Sequence, residues 1–138
     1  MVLTLAPISW VAVLASLVAS MVIGFLWYSP WLFAPRWVQL AKIDVEASKK
    51  RGMALPLTLS AASSIVTSIA LTQLFPILGV ASIANAVVAA FFVWLCFHAL
   101  ITLTTMMFQG QSFELFLIVG GHDLVWILAS AVIIQALS

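Results

Sequence analysis

Charge is what this chain has least of. Outside residues 34–52 there is no Lys or Arg, and the only acidic side chains there are Glu114 and Asp123. Charged residues make up 7% of the 138 and hydrophobic ones 65%, where a soluble domain is about a quarter charged. A globule in water could not hide so much apolar surface, so lipid is the solvent for most of the chain. A net charge of +1 on so few basic side chains argues against a nucleic-acid partner. The single cysteine, Cys96, lies in an apolar run, has no partner for a disulfide or a metal cluster, and reads as a small core residue. Two histidines without ligand spacing, and no nucleophile beside a base, leave no ground for an enzyme, and no cofactor is specified. The start, Met1–Pro7, lacks the positive region of a signal peptide, and the apolar run from Ile8 is too long for one, so a retained first span is expected.

What is present is apolar length. A bilayer core of about 30 Å takes roughly 20 helical residues, and four segments qualify: about 8–28, 53–75, 82–108 and 113–136. The first should stop at Ser29-Pro30, because proline disfavours helix at the residue before it. In the second, Pro56 is tolerated in the first turn and Pro76 is expected to close the helix. The runs are continuous rather than alternating, which disfavours a barrel. The expected fold is an all-α transmembrane bundle of four helices in a single domain, 1–138, with an interfacial aromatic segment after the first helix.

The connector 34–52 holds all five basic residues: Arg36, Lys42, Lys49, Lys50 and Arg51. Positive charge beside a span stays on the cytoplasmic side, which predicts a multi-pass protein of the cell inner (plasma) membrane with both termini outside. Ahead of it Trp27, Tyr28, Trp31, Phe33 and Trp37 form an aromatic belt, with Pro30–Leu40 lying along the interface and Arg36 reaching toward headgroups. Lys42–Arg51 reads as a solvated connector, with a docking site as the alternative.

Two helices carry small or polar faces. Ala12, Ser16, Ser20 and Gly24 are spaced four apart, the small-xxx-small pattern that lets membrane helices approach closely. The pattern does not say whether the neighbouring helix belongs to the same chain. Ser60, Ser64, Thr67 and Ser68 make a stripe on the second helix that serves packing or, alternatively, lines a path for water.

The third and fourth helices form a hairpin centred between Gly110 and Gln111. His98 and Asp123 are equally far from that centre, roughly 19 Å along each helix. An Asp at mid-bilayer costs about 2.5–3.5 kcal/mol on insertion scales, so a contact between Asp123 and His98 is expected, with His122 one residue away. The third helix places Trp94, His98, Thr102 and Thr105 along one face, expected to line that polar patch. Three readings stay open for His98, His122, Asp123 and Thr102: a clamp between helices, a proton relay exploiting imidazole's near-neutral titration, or an imidazole ligand to a haem or chlorin. Glu114 and Ser112 suit the start of the fourth helix, the first by charge and the second as a cap. Asn85 suits an interfacial or interhelical hydrogen bond.

The block Gly24-Phe25-Leu26-Trp27-Tyr28-Ser29-Pro30-Trp31-Leu32-Phe33, followed by Trp37, resembles the opening signature of the domain of unknown function 1761 family. The run Trp94-Leu95-Cys96-Phe97, then Phe108 and Gly110, is similar to that family's second half. The resemblance implies a small bacterial membrane protein with four helices and implies no activity. Together these features lead to the expectation of a non-enzymatic integral membrane protein, a homo-oligomer or an accessory subunit of a larger membrane complex, with the bilayer and other membrane subunits as partners. The alternatives are a small oligomeric transporter or proton conductor using His98, His122 and Asp123, and a haem- or chlorin-binding subunit.

Overall fold

A computed structural model describes residues 4–138; Met1–Leu3, part of the chain start read above, lie outside the described residues. Among the described residues four helical spans are long and apolar enough to cross a membrane: Trp10–Trp27, Ala54–Ile77, Ile83–Phe108 and Phe113–Leu137. The fold is an all-α transmembrane bundle, and among the described residues there is no strand.

The first span is α1 (Trp10–Trp27). Ser9 caps it by accepting from the Ala12 N–H, and the Ser9 hydroxyl also donates to the Leu137 carbonyl at 3.0 Å. The helix ends as expected at the Ser29-Pro30 step. Two short helices follow, α2 (Ala34–Leu40) and α3 (Val45–Arg51). The connector is therefore not plain coil. Asp44 caps α3, Glu46 lies in its first turn, and Lys49, Lys50 and Arg51 fill its last, so every charge complements the helix dipole.

The second span, α4 (Ala54–Ile77), runs two residues past the expected stop at Phe75. A proline in the last turn removes one main-chain bond and leaves the rest of the helix intact. The chain then turns at Gly79 (φ 67°), where the Val80 N–H closes on the Phe75 carbonyl at 2.9 Å.

The third span is not one regular helix. It comprises α5 (Ile83–Trp94), a π turn (Leu95–Ala99) and α6 (Leu100–Phe108). The inward face explains why. Ala86, Ala90, Ala99 and Met106 are buried, with Trp94 and Leu103 packed beside them, so the face steps by five residues from Trp94 to Ala99. A regular helix would swing Ala99 and Met106 off that face; one extra residue in the π turn keeps both halves against the fourth span. Cys96 sits in this wide turn and is exposed, contrary to its reading as a core residue, because the surplus residue bulges outward. Thr105 is exposed for the same reason and donates to its own helix at the Ile101 carbonyl.

The fourth span, α7 (Phe113–Leu137), capped by Ser112, is the axis of the bundle: α1, α2, α5 and α6 pack on it, while α4 leans mainly on α1. One buried cluster joins Ala12, Leu71, Phe75, Ala86, Ala90, Ile127, Ala131 and Ile134 near the end away from the basic connector. A second joins Ala99, Met106, Leu115 and Phe116 near the connector, where Trp37, Leu40 and Ala41 cover it. The small-residue face of α1 is used within the chain: Ala12, Ser16 and Ser20 are buried against α4 and α7. Close backbone approach is what these residues allow here. Arg36 does not reach outward. Its guanidinium forks onto Glu114, with Nε 2.6 Å from Oε1, and so ties α2 to the first turn of α7.

Candidate functional site

Asp123, on α7, is gripped from three sides. His98 Nε2, carried by the π turn, lies 2.7 Å from Oδ2. His122 Nδ1 lies 2.8 Å from Oδ1, and the Trp126 indole N–H donates to the same oxygen at 3.3 Å. The two imidazole contacts differ in quality. The His122 contact has hydrogen-bond geometry. His98 has the distance but not the direction, since its ring N–H is turned off the line to the oxygen; we read it as a close electrostatic contact. Adjacent residues on a helix do not normally face each other, so the His122–Asp123 contact holds both side chains bent toward one another.

His122 is wrapped by the aromatic segment. Its ring centroid is 5.1 Å from that of Tyr28 and 6.2 Å from that of Trp27. The Trp27 indole donates to the Ile118 carbonyl at 2.9 Å, and Tyr28 stacks edgewise on Trp37 at 5.2 Å. Only Trp31, 87% exposed, projects as a belt residue would. Trp27, Tyr28 and Trp37 instead turn inward, because α2 folds back beside α7 and offers them a wall. Since Tyr28 ends α1, the cluster lies about one helical turn inside that end of α1. The hairpin of α6 and α7 runs on past it, so the even depth count along the hairpin did not fix the position relative to α1.

Gly24 makes room for the imidazole. A β-carbon there would stand 3.5 Å from His122 Nε2, an ordinary contact, and a longer side chain would compete with the imidazole for the groove they both line. Gly24→Ala should therefore be tolerated, whereas Gly24→Leu should displace the ring at about 1–3 kcal/mol. Thermal unfolding and the His122 imidazole resonances in detergent check this; an unmoved ring in the leucine variant would contradict it.

Two grooves share this wall. One, of about 700 Å³, opens between α1, α4 and α7 and is lined by Ser20, Gly24, Tyr28, Ser60, Ser64, His122 and Asp123 among others. The second, about 390 Å³, lies between α4, α5 and α7 against Thr67, Trp94, His98 and Asp123. Ser63, Asp123 and Trp126 line both, because α4 stands off α7 at this level. Thr102 is half-buried and lines neither, so the structure does not bring it into the cluster. Asn85 is exposed at the start of α5. Ser64 meets Ser20 across the helices at 2.7 Å, while Ser60 bonds its own helix at Pro56. Among the described residues no group of three or more His, Cys, Asp or Glu is disposed to hold a metal ion.

Sequence reasoning missed Trp126, though its position three residues after Asp123 places it on the same helix face. It also missed the π turn, whose signal is the step of five in the apolar face.

The family described as Protein of unknown function (DUF1761) matches residues 11–135, and the chain belongs to it. No curated protein and no solved structure matches.

Proposed function

We propose that this member of a family of unknown function is a non-enzymatic, proton-conducting or proton-coupled membrane protein, with the His98–Asp123–His122 cluster as its protonatable centre. The observation that carries the reading is a carboxylate held between two imidazoles inside the spans, on a wall common to two grooves. Ionisable side chains are expensive in that setting and are found where protons or ions pass. Imidazole adds the capacity to take up and release a proton near neutrality. A clamp between helices explains the contacts to Asp123, but it does not call for grooves on both sides of the carboxylate.

Support for the other readings is thinner. The face from Ala12 to Gly24 is filled by α4 and α7, so it lends nothing to a homo-oligomer or to an accessory subunit. A haem or chlorin would need an available imidazole nitrogen. His122 keeps Nδ1 on Asp123, its unpartnered Nε2 is buried beside Gly24 rather than open to a ring, and His98 turns Nε2 to the carboxylate.

The orientation we propose puts α2, α3 and the basic residues on the cytoplasmic side of the inner membrane, by the charge bias of connectors. An impermeant amine reagent should then modify Lys49 and Lys50 in inverted vesicles and spare them in intact cells; the reverse pattern would refute the orientation. The function is tested by reconstituting the purified chain in vesicles loaded with a pH-sensitive dye. Imposed pH gradients should collapse faster than in empty vesicles, and Asp123→Asn should restore the slow rate. Equal rates for the native chain and empty vesicles would defeat the proposal.

A further inference from the structure

Among the described residues, Asp123 is the one acidic side chain of the spans with no Lys or Arg set against it. All five basic residues lie in 34–52, Glu114 is forked by Arg36, and α1, α4, α5 and α6 contain no charged residue. The titratable groups around the carboxylate are His122 on its own helix, His98 from the π turn and, behind His122, Tyr28 at the end of α1. From α4 come only serine and threonine hydroxyls. With both imidazoles neutral the cluster carries a full negative charge. Such a charge is costly between membrane helices, and only a proton or a mobile cation can balance it.

The two carboxylate oxygens are not equivalent. Oδ1 takes the His122 and Trp126 contacts. Oδ2 has the misaligned His98 ring 2.7 Å away and accepts no hydrogen bond. It keeps accessible surface all the same, whereas Nε2 of each histidine is sealed. An anionic oxygen left open and unbonded inside a span is free to meet a ligand, and leaving it unmet is costly. His98 belongs to the smaller groove, so Oδ2 stands on that groove's wall.

That groove, about 390 Å³, falls within the range of small-molecule sites. Apart from the carboxylate, His98 and two hydroxyls, its lining is aliphatic or aromatic, with Trp94, Phe97 and Trp126 as the rings. Val66 on α4 and Phe97 on the π turn are both exposed, so the groove opens sideways to the hydrocarbon. One open carboxylate oxygen is a poor seat for a hard metal ion, which takes six or more oxygen ligands. A carboxylate beside aromatic rings suits an organic cation instead. The acid neutralises the charge, the rings attract it through their π clouds, and the aliphatic wall takes the apolar body.

We infer that the groove between α4, α5 and α7 binds a lipophilic organic cation, an ammonium or other onium group on apolar substituents, against Asp123 Oδ2, and only when the cluster has released its proton. The inference rests on the reading of that cluster as a protonatable centre, and it names the species to which the proton is coupled. The exchange balances. An O–H or imidazole N–H bond of the cluster breaks, its proton passes to water, and the arriving cation replaces the positive charge that left. The cation comes from the lipid through the mouth between α4 and the π turn.

The test is equilibrium binding to the purified chain in mild detergent, corrected for protein-free micelles. The probe is tetraphenylphosphonium, and tetraphenylborate, of the same shape and opposite charge, is its control. The phosphonium should bind saturably, one per chain, and the borate should not. Binding should weaken by up to ten-fold per pH unit on the acid side of the cluster's titration, and adding phosphonium in dilute buffer should acidify the solution. Asp123→Asn should abolish binding. Phe97→Leu should weaken it about three-fold, the worth of one exposed cation–ring contact, while Phe25→Leu, in the larger groove, should leave it unchanged. Equal binding of the two probes, binding that survives Asp123→Asn, or binding indifferent to pH would each overturn the inference. So would an affinity that falls in Phe25→Leu and not in Phe97→Leu. The borate and pH measurements use the native chain and decide even if a variant does not fold. Proton flux in vesicles that is lost in Asp123→Asn, with no phosphonium binding, would overturn the cation site and leave the protonatable centre standing. No flux with or without phosphonium, and no pH-dependent binding, would overturn both.

Discussion

A chain carrying Asp123→Asn should fold and should stop passing protons. The amide oxygen can still accept from His122 Nδ1 and Trp126 Nε1, the two contacts Oδ1 makes now. The amide nitrogen then faces His98, whose ring nitrogen can accept once its proton sits on the other side. Polar contacts between membrane helices average about 0.6 kcal/mol, so the asparagine variant should lose about 1 kcal/mol or less. Flux should fall far more, by about a hundred-fold, the low end of what a positioned acid–base group contributes, because an amide has no acidic proton to gain and give up. Asp123→Ala gives the contrast. It takes the acceptor from the His122 and Trp126 donors and the carboxylate from beside His98 at once, and should cost about 2 kcal/mol on the same scale. A pure clamp would keep the same order of thermal midpoints and leave flux unchanged from the native chain in both variants.

Ala12→Leu should be the most destabilising single substitution along α1. Ala12 is 0% exposed and packs in the cluster with Ile134 and Ala131 of α7. Leucine there drives apart two backbones whose approach depends on having almost no side chain between them. Overpacking costs about 1–3 kcal/mol, and the upper part of that range applies because the helix on the far side is the axis that every other span uses. Leu14→Ala is the matched control. Leu14 is 57% exposed toward the lipid, and its truncation should change stability by about 0.5 kcal/mol or less. Thermal unfolding of both variants in mild detergent decides the matter. Equal midpoints would mean that α1 does not dock through this face within its own chain.

The sequence made the spans legible because twenty apolar residues in a row have one main physical use. It also made the approach of His98 and Asp123 legible, because a hairpin equalises depth and a buried carboxylate needs company. Helix phase was harder. The reading of Trp94, His98, Thr102 and Thr105 as one face assumed 3.6 residues per turn throughout, and the surplus residue at Leu95–Ala99 removes Thr102 and Thr105 from it. The inward turn of Trp27, Tyr28 and Trp37 was hidden for a different reason. Their composition is that of an interfacial belt, and only the return of α2 along α7, pinned by Arg36 and Glu114, gives them a surface to cover.

The surplus residue in the third span also divides that helix into two sectors with separate angular settings. A one-residue insertion inside Leu95–Ala99 would rotate everything downstream by about 100° relative to everything upstream, and either Ala86 and Ala90 or Ala99 and Met106 would be carried round to the hydrocarbon; a one-residue deletion would instead remove the surplus and leave a regular helix with both halves on the same face. Substitutions leave that offset alone, so the segment should tolerate exchange of side chains, or loss of its one surplus residue, far better than any lengthening.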